Sequence, residues 1–532
     1  MTKRIKITYL MILIIMYLNV NAQLTEQWAK TYNLTGSSSA DVSYGIATDN
    51  SGNSYVTGSV VNGTQQIDYA TIKYNAVGAQ EWVRTYNGSS STSDYASDIT
   101  VDTEGNIYVT GSVNAATSVT TIKYNPAGDS LWVRIFPNAM CTKIISDKYN
   151  NIYVSGRWGD VSFSNYLVIK YNSAGTELWS RKYSSPGSLP DEAIGLNIDN
   201  SGNVYLTGRV YVGPFNGIGT VKYDSNGVQK WDAIYYCPDF GSDVGNSVEA
   251  DNLGNVYITG SSDSSTTGKD IITIKYDSLG VRQWVNRFHD GVEEGLTIRV
   301  FDENNIYVSG PSHTSTRPDD FTTLKYNSAG DLIWLRMYNG NNGADRPFNM
   351  ILDSTGNIYI TGQSQLTGSW EDVSTIKYDP SGALRWSTSY TSPGNNPDTG
   401  LDLALNNSGD LFVTGRTYPV GNVQSFVTIK YSQTTGIHQI YGIIPDNYNL
   451  SQNYPNPFNP STKIDFQIPE NGNVNITLYD ISGREIAVLI NEVKSAGHYN
   501  IQFNGSNLSS GIYFYKISVN DFFATKKMTL IK

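Results

Sequence analysis

Short runs in which apolar and polar residues alternate recur along most of this chain, four to a unit, as in SDITVD, NIYVTGS, TIKYN and EWVRTY. Alternation with a period of two puts successive side chains on opposite faces, so each run predicts a strand, and nothing between the runs has helical periodicity. Asp-x-x-Gly-Asn joins the first two runs, at Asp102–Asn106, Asp251–Asn255 and Asp353–Asn357, and Asn/Asp-x-x-Gly joins the last two, at Asn125–Gly128 and Asp379–Gly382. Both spacings predict tight hairpins whose glycine takes the left-handed conformation.

The unit itself repeats. NSYVTG at Asn53–Gly58 returns at Asn106, Asn151, Asn203, Asn255, Asn305 and Asn357, and as DLFVTG at Asp410, which makes eight copies. TIKY-like runs end at Tyr74, Tyr124, Tyr171, Tyr223, Tyr276, Tyr326, Tyr378 and Tyr431, and a third series is Trp28, Trp82, Trp132, Trp179, Trp231, Trp284, Trp334 and Trp386. Four strands in a unit of about 50 residues suit a propeller blade, so an all-β fold with a propeller of eight four-stranded blades is expected over residues 23–443. At these residues the chain resembles the SBBP-type β-propeller repeat, a secreted bacterial family marked by D-x-x-GNhYVTG followed by TIKYN-x-x-G-x-x-W. The resemblance implies the fold and says little about activity. The last unit has no tryptophan run after Tyr431, only Gln439-Ile440-Tyr441, whereas a spare one stands at Glu26–Tyr32. Pairing the N-terminal run with the last unit would close the ring and leave no exposed sheet edge, with the run around Ile440 as the other candidate.

After Ile443 the repeat stops. Residues 444–461 are rich in Pro and Asn and read as a linker and lead-in, and residues 462–532 carry alternating runs that predict a small Ig-like β-sandwich. This tail is similar to the type A C-terminal sorting domain of the type IX secretion system. The similarity rests on YPNPFNPST at Tyr454–Thr462, with Pro455, Asn456 and Pro457, on the Gly-h-Tyr run Gly511–Tyr513, and on the basic end Lys526, Lys527 and Lys532. It implies export by that machinery, the tail being its partner, and release or attachment at the surface.

At the other end, Lys3, Arg4 and Lys6 precede the apolar run Ile7–Leu18, and Val20-Asn21-Ala22 offers small residues at a cleavage site, so residues 1–22 read as a secretory signal peptide. Twelve apolar residues fall short of the roughly 20 that span a bilayer, and no later run is longer, so the mature chain is expected to have no transmembrane segment. The 532 residues include 49 Gly, 38 Tyr, 16 Phe and 10 Trp with only 16% charged, which excludes a disordered chain. With 37 basic against 48 acidic side chains the net charge is -11, and -14 once the three basic residues of 1–22 are removed, so nucleic acid is not an expected partner. Two cysteines and four histidines supply neither a disulfide framework nor a thiolate zinc site, and Cys141 and Cys237, separated by a whole unit, are expected to stay unpaired.

No His-Glu-x-x-His, Gly-x-Ser-x-Gly or phosphate loop occurs, and nothing in the sequence announces an enzyme. What recurs is acid. Asp41, Asp94, Asp191, Asp243, Glu294, Asp345 and Asp398 each stand eight residues before the first turn, with Ala139 breaking the series in the third unit. Such a carboxylate can hold backbone N–H groups where its own blade begins, or the series can ring the channel mouth as a cation or basic-ligand site; no cofactor is called for, and calcium is the one ion the acids suggest. Units also differ at Arg157-Trp158-Gly159-Asp160, Glu293-Glu294, His313 with Arg317, and Trp370-Glu371-Asp372, all on the face of the longer loops. Tryptophan beside charge suits sugar stacking or protein contact as well as loop packing. The leading expectation is a non-enzymatic secreted or surface module that binds an extracellular polymer or protein. The alternative is a polysaccharide-active hydrolase or lyase with carboxylates at the channel mouth, and a purely structural surface protein is a third reading.

Overall fold

The computed structural model describes residues 24–531 apart from 36–39, 64–65, 89–91, 114–116, 161, 187–189, 214, 238–240, 315–316, 341–342, 366–369, 420–422, 434–437, 441–444, 446, 495 and 506–507. The signal peptide expected at 1–22 lies outside the described residues, as does Lys532. Among the described residues every regular element is a strand, and the chain is all-β with ten sheets. Among the described residues there is no helix, and so none long and apolar enough to cross a membrane.

Eight of the sheets lie between Leu24 and Gln433, and most are antiparallel meanders in chain order, such as Val42–Thr48, Ser54–Val61, Ile67–Tyr74 and Gln80–Tyr86. The first strand of each sheet packs against the first strands on either side, and Val42–Thr48 of the first repeat meets both Tyr95–Val101 and Thr399–Leu405. Apolar side chains of neighbouring sheets form shared clusters, such as Tyr55, Tyr69 and Trp82 with Ile99, Ile107 and Tyr124. The eighth sheet combines Thr399–Leu405, Leu411–Thr417 and Ser425–Gln433 with the N-terminal strand Leu24–Tyr32, in a register that sets Trp28 opposite Lys430. The run around Ile440 does not take that place. His438–Ile440 pairs with Gly497–Asn504 of the tail.

The junction between neighbouring sheets explains why three phrases repeat. Trp82 lies between Tyr55 of its own sheet and Tyr124 of the next, and its indole Nε1 donates to the Pro126 carbonyl in the next sheet's turn, 3.1 Å away. Lys73 Nζ donates to the same carbonyl. Gly128, at φ +85°, sits so close that a Cβ there would come within 2.8 Å of the indole. Trp28 and Lys430 make the same pair of bonds to Ala76 O, so the N-terminal strand joins the last sheet to the first by the same contacts.

The Asp-x-x-Gly-Asn turn has its own logic. Asp102 Oδ1 accepts from the Glu104 and Asn106 amides, and Oδ2 accepts from Asn106 Nδ2 and from the buried Tyr108 hydroxyl at 2.8 Å. A buried phenol gains from such an acceptor, which spares its hydroxyl an unpaired burial. The sixth repeat departs from this pattern: Phe301 stands where Asp251 stands in the fifth, the turn Asp302–Asn305 is one residue shorter, and Tyr307 finds only Asn305 Oδ1, at 3.5 Å.

In the tail, two four-stranded sheets share one apolar core that includes Ile464, Phe466, Ile476, Tyr499, Tyr515 and Met528. The strand Ser461–Ile468 buries every second side chain, as a half-buried strand must. Cys141 and Cys237 are both buried and free, and burial pushes the Cys141 thiol up to about 12.

Candidate functional site

Asp41, Asp94, Asp191, Asp243, Asp345 and Asp398 all have no exposed surface. Their oxygens take backbone and hydroxyl donors around the start of each repeat sheet. Asp191 accepts from the Ser185 amide and hydroxyl and the Tyr211 amide, Asp243 from the Cys237 amide and the Ser262 hydroxyl, and Asp398 from the Ser392 amide and the Thr417 hydroxyl. Asp41 holds the Leu34 and Val61 amides, Asp94 the Gly88 amide and Asp345 the Gly340 amide. Burial raises the pKa of Asp191, Asp243, Asp345 and Asp398, while these donors pull the other way. The six aspartates thus clasp the lead-in to their own sheets, and none of them reaches solvent.

In the sixth repeat the residue in this position is Glu293 and not Glu294. Glu293 pairs with Ser312 as Asp243 pairs with Ser262, and its Oε1 accepts from the Asp290 amide at 2.7 Å. Counting back from Asp302 misplaces the series by one residue, because the residue aligned with the other turn aspartates is Phe301. Glu293 is buried and its carboxyl is pushed up to about 7, chiefly by desolvation.

Glu294 belongs to a different set of contacts. It lies 3.2 Å from Lys269 and 3.6 Å from Arg346, and accepts from Asn246 Nδ2 at 3.2 Å. Arg346 continues to Asp319, and Asp319 to His313 Nδ1 at 2.8 Å. Lys269, Glu294, Arg346 and Asp319, from the fifth, sixth and seventh repeats, therefore form one chain of alternating charge at the loop ends of their sheets, which ends on the His313 imidazole. Arg317 begins the strand Arg317–Tyr326 and pairs with Thr314; its side chain is outside the described residues.

The remaining sequence candidates are not brought to this network. Trp158 closes the strand Ile152–Trp158 opposite Ala139, is half-buried against the third repeat's apolar cluster, and carries Lys182 Nζ 3.4 Å above its ring. Asp160 is exposed and caps its own turn by accepting the Ser162 and Phe163 amides. Trp370 is 58% exposed, Glu371 supplies a carbonyl to the Asp398 amide, and Asp372 is buried with its pKa raised by desolvation.

Sequence reasoning missed a second acidic series, Asp68, Asp270, Asp320 and Asp372, which are all buried at the start of the third strand. Its signal is the aspartate six residues before the tyrosine that ends TIKY. It also missed charges on the innermost strands. Asp98 Oδ2 accepts from the Ile144 amide of the next repeat, Asp402 accepts from the Ile46 amide and from Asn349, and Glu249 lies 3.7 Å from Arg299. Burial pushes Asp402 up to about 6 and Glu249 up to about 7.

In the tail the separated residues that carry the likeness to a sorting domain converge. Asn456 Oδ1 accepts from the Thr529 amide, its Nδ2 donates to Lys527 O, and Phe458 exchanges backbone bonds with Thr529 and Ile531. Pro455 O accepts from Thr462 and Asn453, and Tyr454 and Pro457 lie in the same lead-in, with Tyr454 82% exposed. Lys526 and Lys527 pair with Tyr515 and Phe514 on the strand that begins at Gly511 and holds the buried Tyr513.

Residues 452–532 match the family model of the secretion system C-terminal sorting domain, and residues 30–59 and 81–115 match that of the β-propeller repeat. The chain is exported by the type IX system to the cell surface or beyond, and its tail engages that machinery. No curated protein matches it. Among solved structures it is similar to an ulvan lyase described as a new family of polysaccharide lyase, at 11% identity over 68% of this chain and 95% of that one, with a TM-score of 0.40. It is also similar to Sqt1 from Chaetomium thermophilum, at 10% identity over 76% and 99% of the two chains with a TM-score of 0.46. The β-propeller domain of the Trilobed protease from Pyrococcus furiosus matches at 5% identity over 65% and 98%, with a TM-score of 0.39.

Proposed function

We propose that this chain, which carries β-propeller repeats and a type IX sorting domain, works outside the cell as a non-enzymatic binding module. In this reading residues 1–22 are a signal peptide, the eight sheets between Leu24 and Gln433 are the blades of one closed ring, and the tail is a small Ig-like sandwich. The ligand is a polar polymer or a protein, bound on the loop face of the fifth to seventh repeats. The observation that carries the reading is the alternating network Lys269, Glu294, Arg346, Asp319 and His313, whose members are all partly exposed. The first two repeats have Val42 and Tyr95 where the sixth and seventh have Glu294 and Arg346. Partly exposed charges of both signs add little stability, yet they can orient a polar partner. Trp370, exposed at the same end of the seventh repeat, offers an aromatic face.

The test uses the purified exported chain on a panel of polysaccharides and surface proteins, with binding and degradation measured on the same samples. The expected result is a retained ligand, no cleavage, and binding at least ten-fold weaker after Arg346→Ala or Trp370→Ala. Equal binding by both variants would remove this face from the function. Cleavage of a panel member would replace the binder with an enzyme.

A further inference from the structure

Where the fifth repeat sheet meets the sixth, three side chains converge that elsewhere are kept apart or replaced. Asp270 belongs to the buried acidic series at the start of the third strand. In the sixth and seventh repeats the matching acids, Asp320 and Asp372, accept from Asn339 and Thr391, which follow the outer strand. The fifth repeat has His289 at that position, and its Nδ1 lies 3.1 Å from Asp270 Oδ1. Across the junction Glu293 replaces the usual aspartate. Its Oε1 performs the shared task of binding the amide that follows His289, and the extra methylene leaves Oε2 buried, without a hydrogen-bond partner, 3.9 Å from His289 Nδ1.

We propose that Asp270 Oδ1, His289 Nδ1 and Glu293 Oε2 form a divalent transition-metal site of the zinc class. The three atoms lie within 4.8 Å of one another. Ligand atoms sharing one ion at ~2.1 Å stand roughly 3 to 3.5 Å apart, so an ion would have to draw the half-exposed imidazole and the Glu293 carboxylate inward by about 1 Å. One imidazole and two carboxylates suit zinc and its neighbours, whereas calcium and magnesium favour oxygen alone. Arg287 Nε and Nη2 bind Asp270 Oδ2, so they fix that carboxylate and leave Oδ1 turned to the site. His289 is 45% exposed and provides both the route in and room for a fourth ligand from solvent. This site does not depend on the proposed binding face.

The experiment takes the purified full chain, strips it with a chelator and titrates it with zinc against a chromophoric competitor, while the melting temperature is followed. One zinc per chain and a raised melting temperature are expected. His289→Asn, which installs the sixth repeat's own residue, and Glu293→Gln should each weaken binding at least ten-fold while keeping the metal-free melting temperature within a few degrees. Excess calcium should not displace the zinc. Absence of zinc binding, undiminished binding by either variant, or displacement by calcium would overturn the assignment.

Discussion

At the turn end of the repeat sheets, seven of the eight series tryptophans, Trp28 through Trp334, donate Nε1 to a carbonyl of the next sheet's turn. Beside each lies a glycine, from Gly78 to Gly382, whose Cβ would fall within 3 Å of the ring. At the loop end the junctions differ: the imidazole of His289 serves one, Asn339 the next, and Thr391 the one after. Both ends belong to the same strands. The contrast shows that repeated identity is enforced where one sheet must dock on the next, while the loop end, held by short local bonds to buried carboxylates, tolerates change.

The largest effect should come from the part that shares nothing with either end. Removing residues 452–532 should leave the repeat region folded but abolish appearance outside the cell, checked by fractionating cells and medium; normal export of the truncated chain would break the assignment. Within the repeat region, Trp179→Ala should cost ~3 to 5 kcal/mol, because it empties a slot between Tyr153 and Tyr223 and leaves the Ser225 carbonyl with Lys170 alone. Trp158→Ala should cost less, about 1 to 2 kcal/mol, since its ring is half-buried and stacked by one lysine. Trp370→Ala should stay within ~0.5 kcal/mol. Chemical denaturation of the three variants measures this ranking. Equal losses would mean that the two ends do not differ in constraint.

The same contrast sets what could be read from the residues. The turn end was legible because its junction needs one aromatic, one lysine and one left-handed glycine in seven of the eight copies, and such a demand imprints a period on the sequence. The pairing of the N-terminal strand with the last repeat was legible for the same reason, since the eighth copy lacks its tryptophan and Trp28 is spare. The loop end was read less well. Spacing alone points to Glu294 as the acid of the sixth repeat because Asp302 imitates the turn aspartate that Phe301 has displaced, and only strand register exposes the shift. Arg346 and Lys269 meet Glu294 across different repeats, and no spacing within one unit could reveal that. In the tail, Tyr454–Thr462 and Lys527 were each noticed, but their contact depends on a last strand returning beside the lead-in.

The innermost strands offer a test by pH. Asp402 has an ordinary value of 3.8, raised to about 6 mainly by desolvation, with Lys143 and its hydrogen bonds pulling down and Asp98 pushing up. A carboxyl with a raised folded value holds its proton between about pH 4 and 6 while the unfolded chain has released it. Its contribution to stability is therefore greatest below about pH 4, falls as the pH rises to 6, and is flat above. Asp402→Asn should remove that slope, a change of at most about 3 kcal/mol at about 1.4 kcal/mol per pKa unit. Denaturant midpoints at pH 4.5 and 7 for both proteins measure it. Parallel profiles would mean that Asp402 titrates as an exposed acid.

The finest test lies at the one junction where the turn end breaks its own rule. Trp386 packs against Tyr359 like its counterparts, but its Nε1 is buried without a hydrogen-bond partner, and Lys377 reaches Gln433 Oε1 where the other lysines reach a turn carbonyl. The eighth repeat has no Asn-x-x-Gly turn after Tyr431 to supply that carbonyl. Replacing tryptophan by phenylalanine keeps most of the ring and deletes the N–H. At Trp334 the change loses a bond to Pro380 O and leaves that carbonyl with Lys325 alone. At Trp386 it removes a donor that had no acceptor, which lowers the cost of burial. Trp334→Phe should therefore destabilise by about 1 kcal/mol more than Trp386→Phe in paired denaturation curves. Equal losses would show that packing of the ring, and not its bond to the next turn, holds neighbouring sheets together.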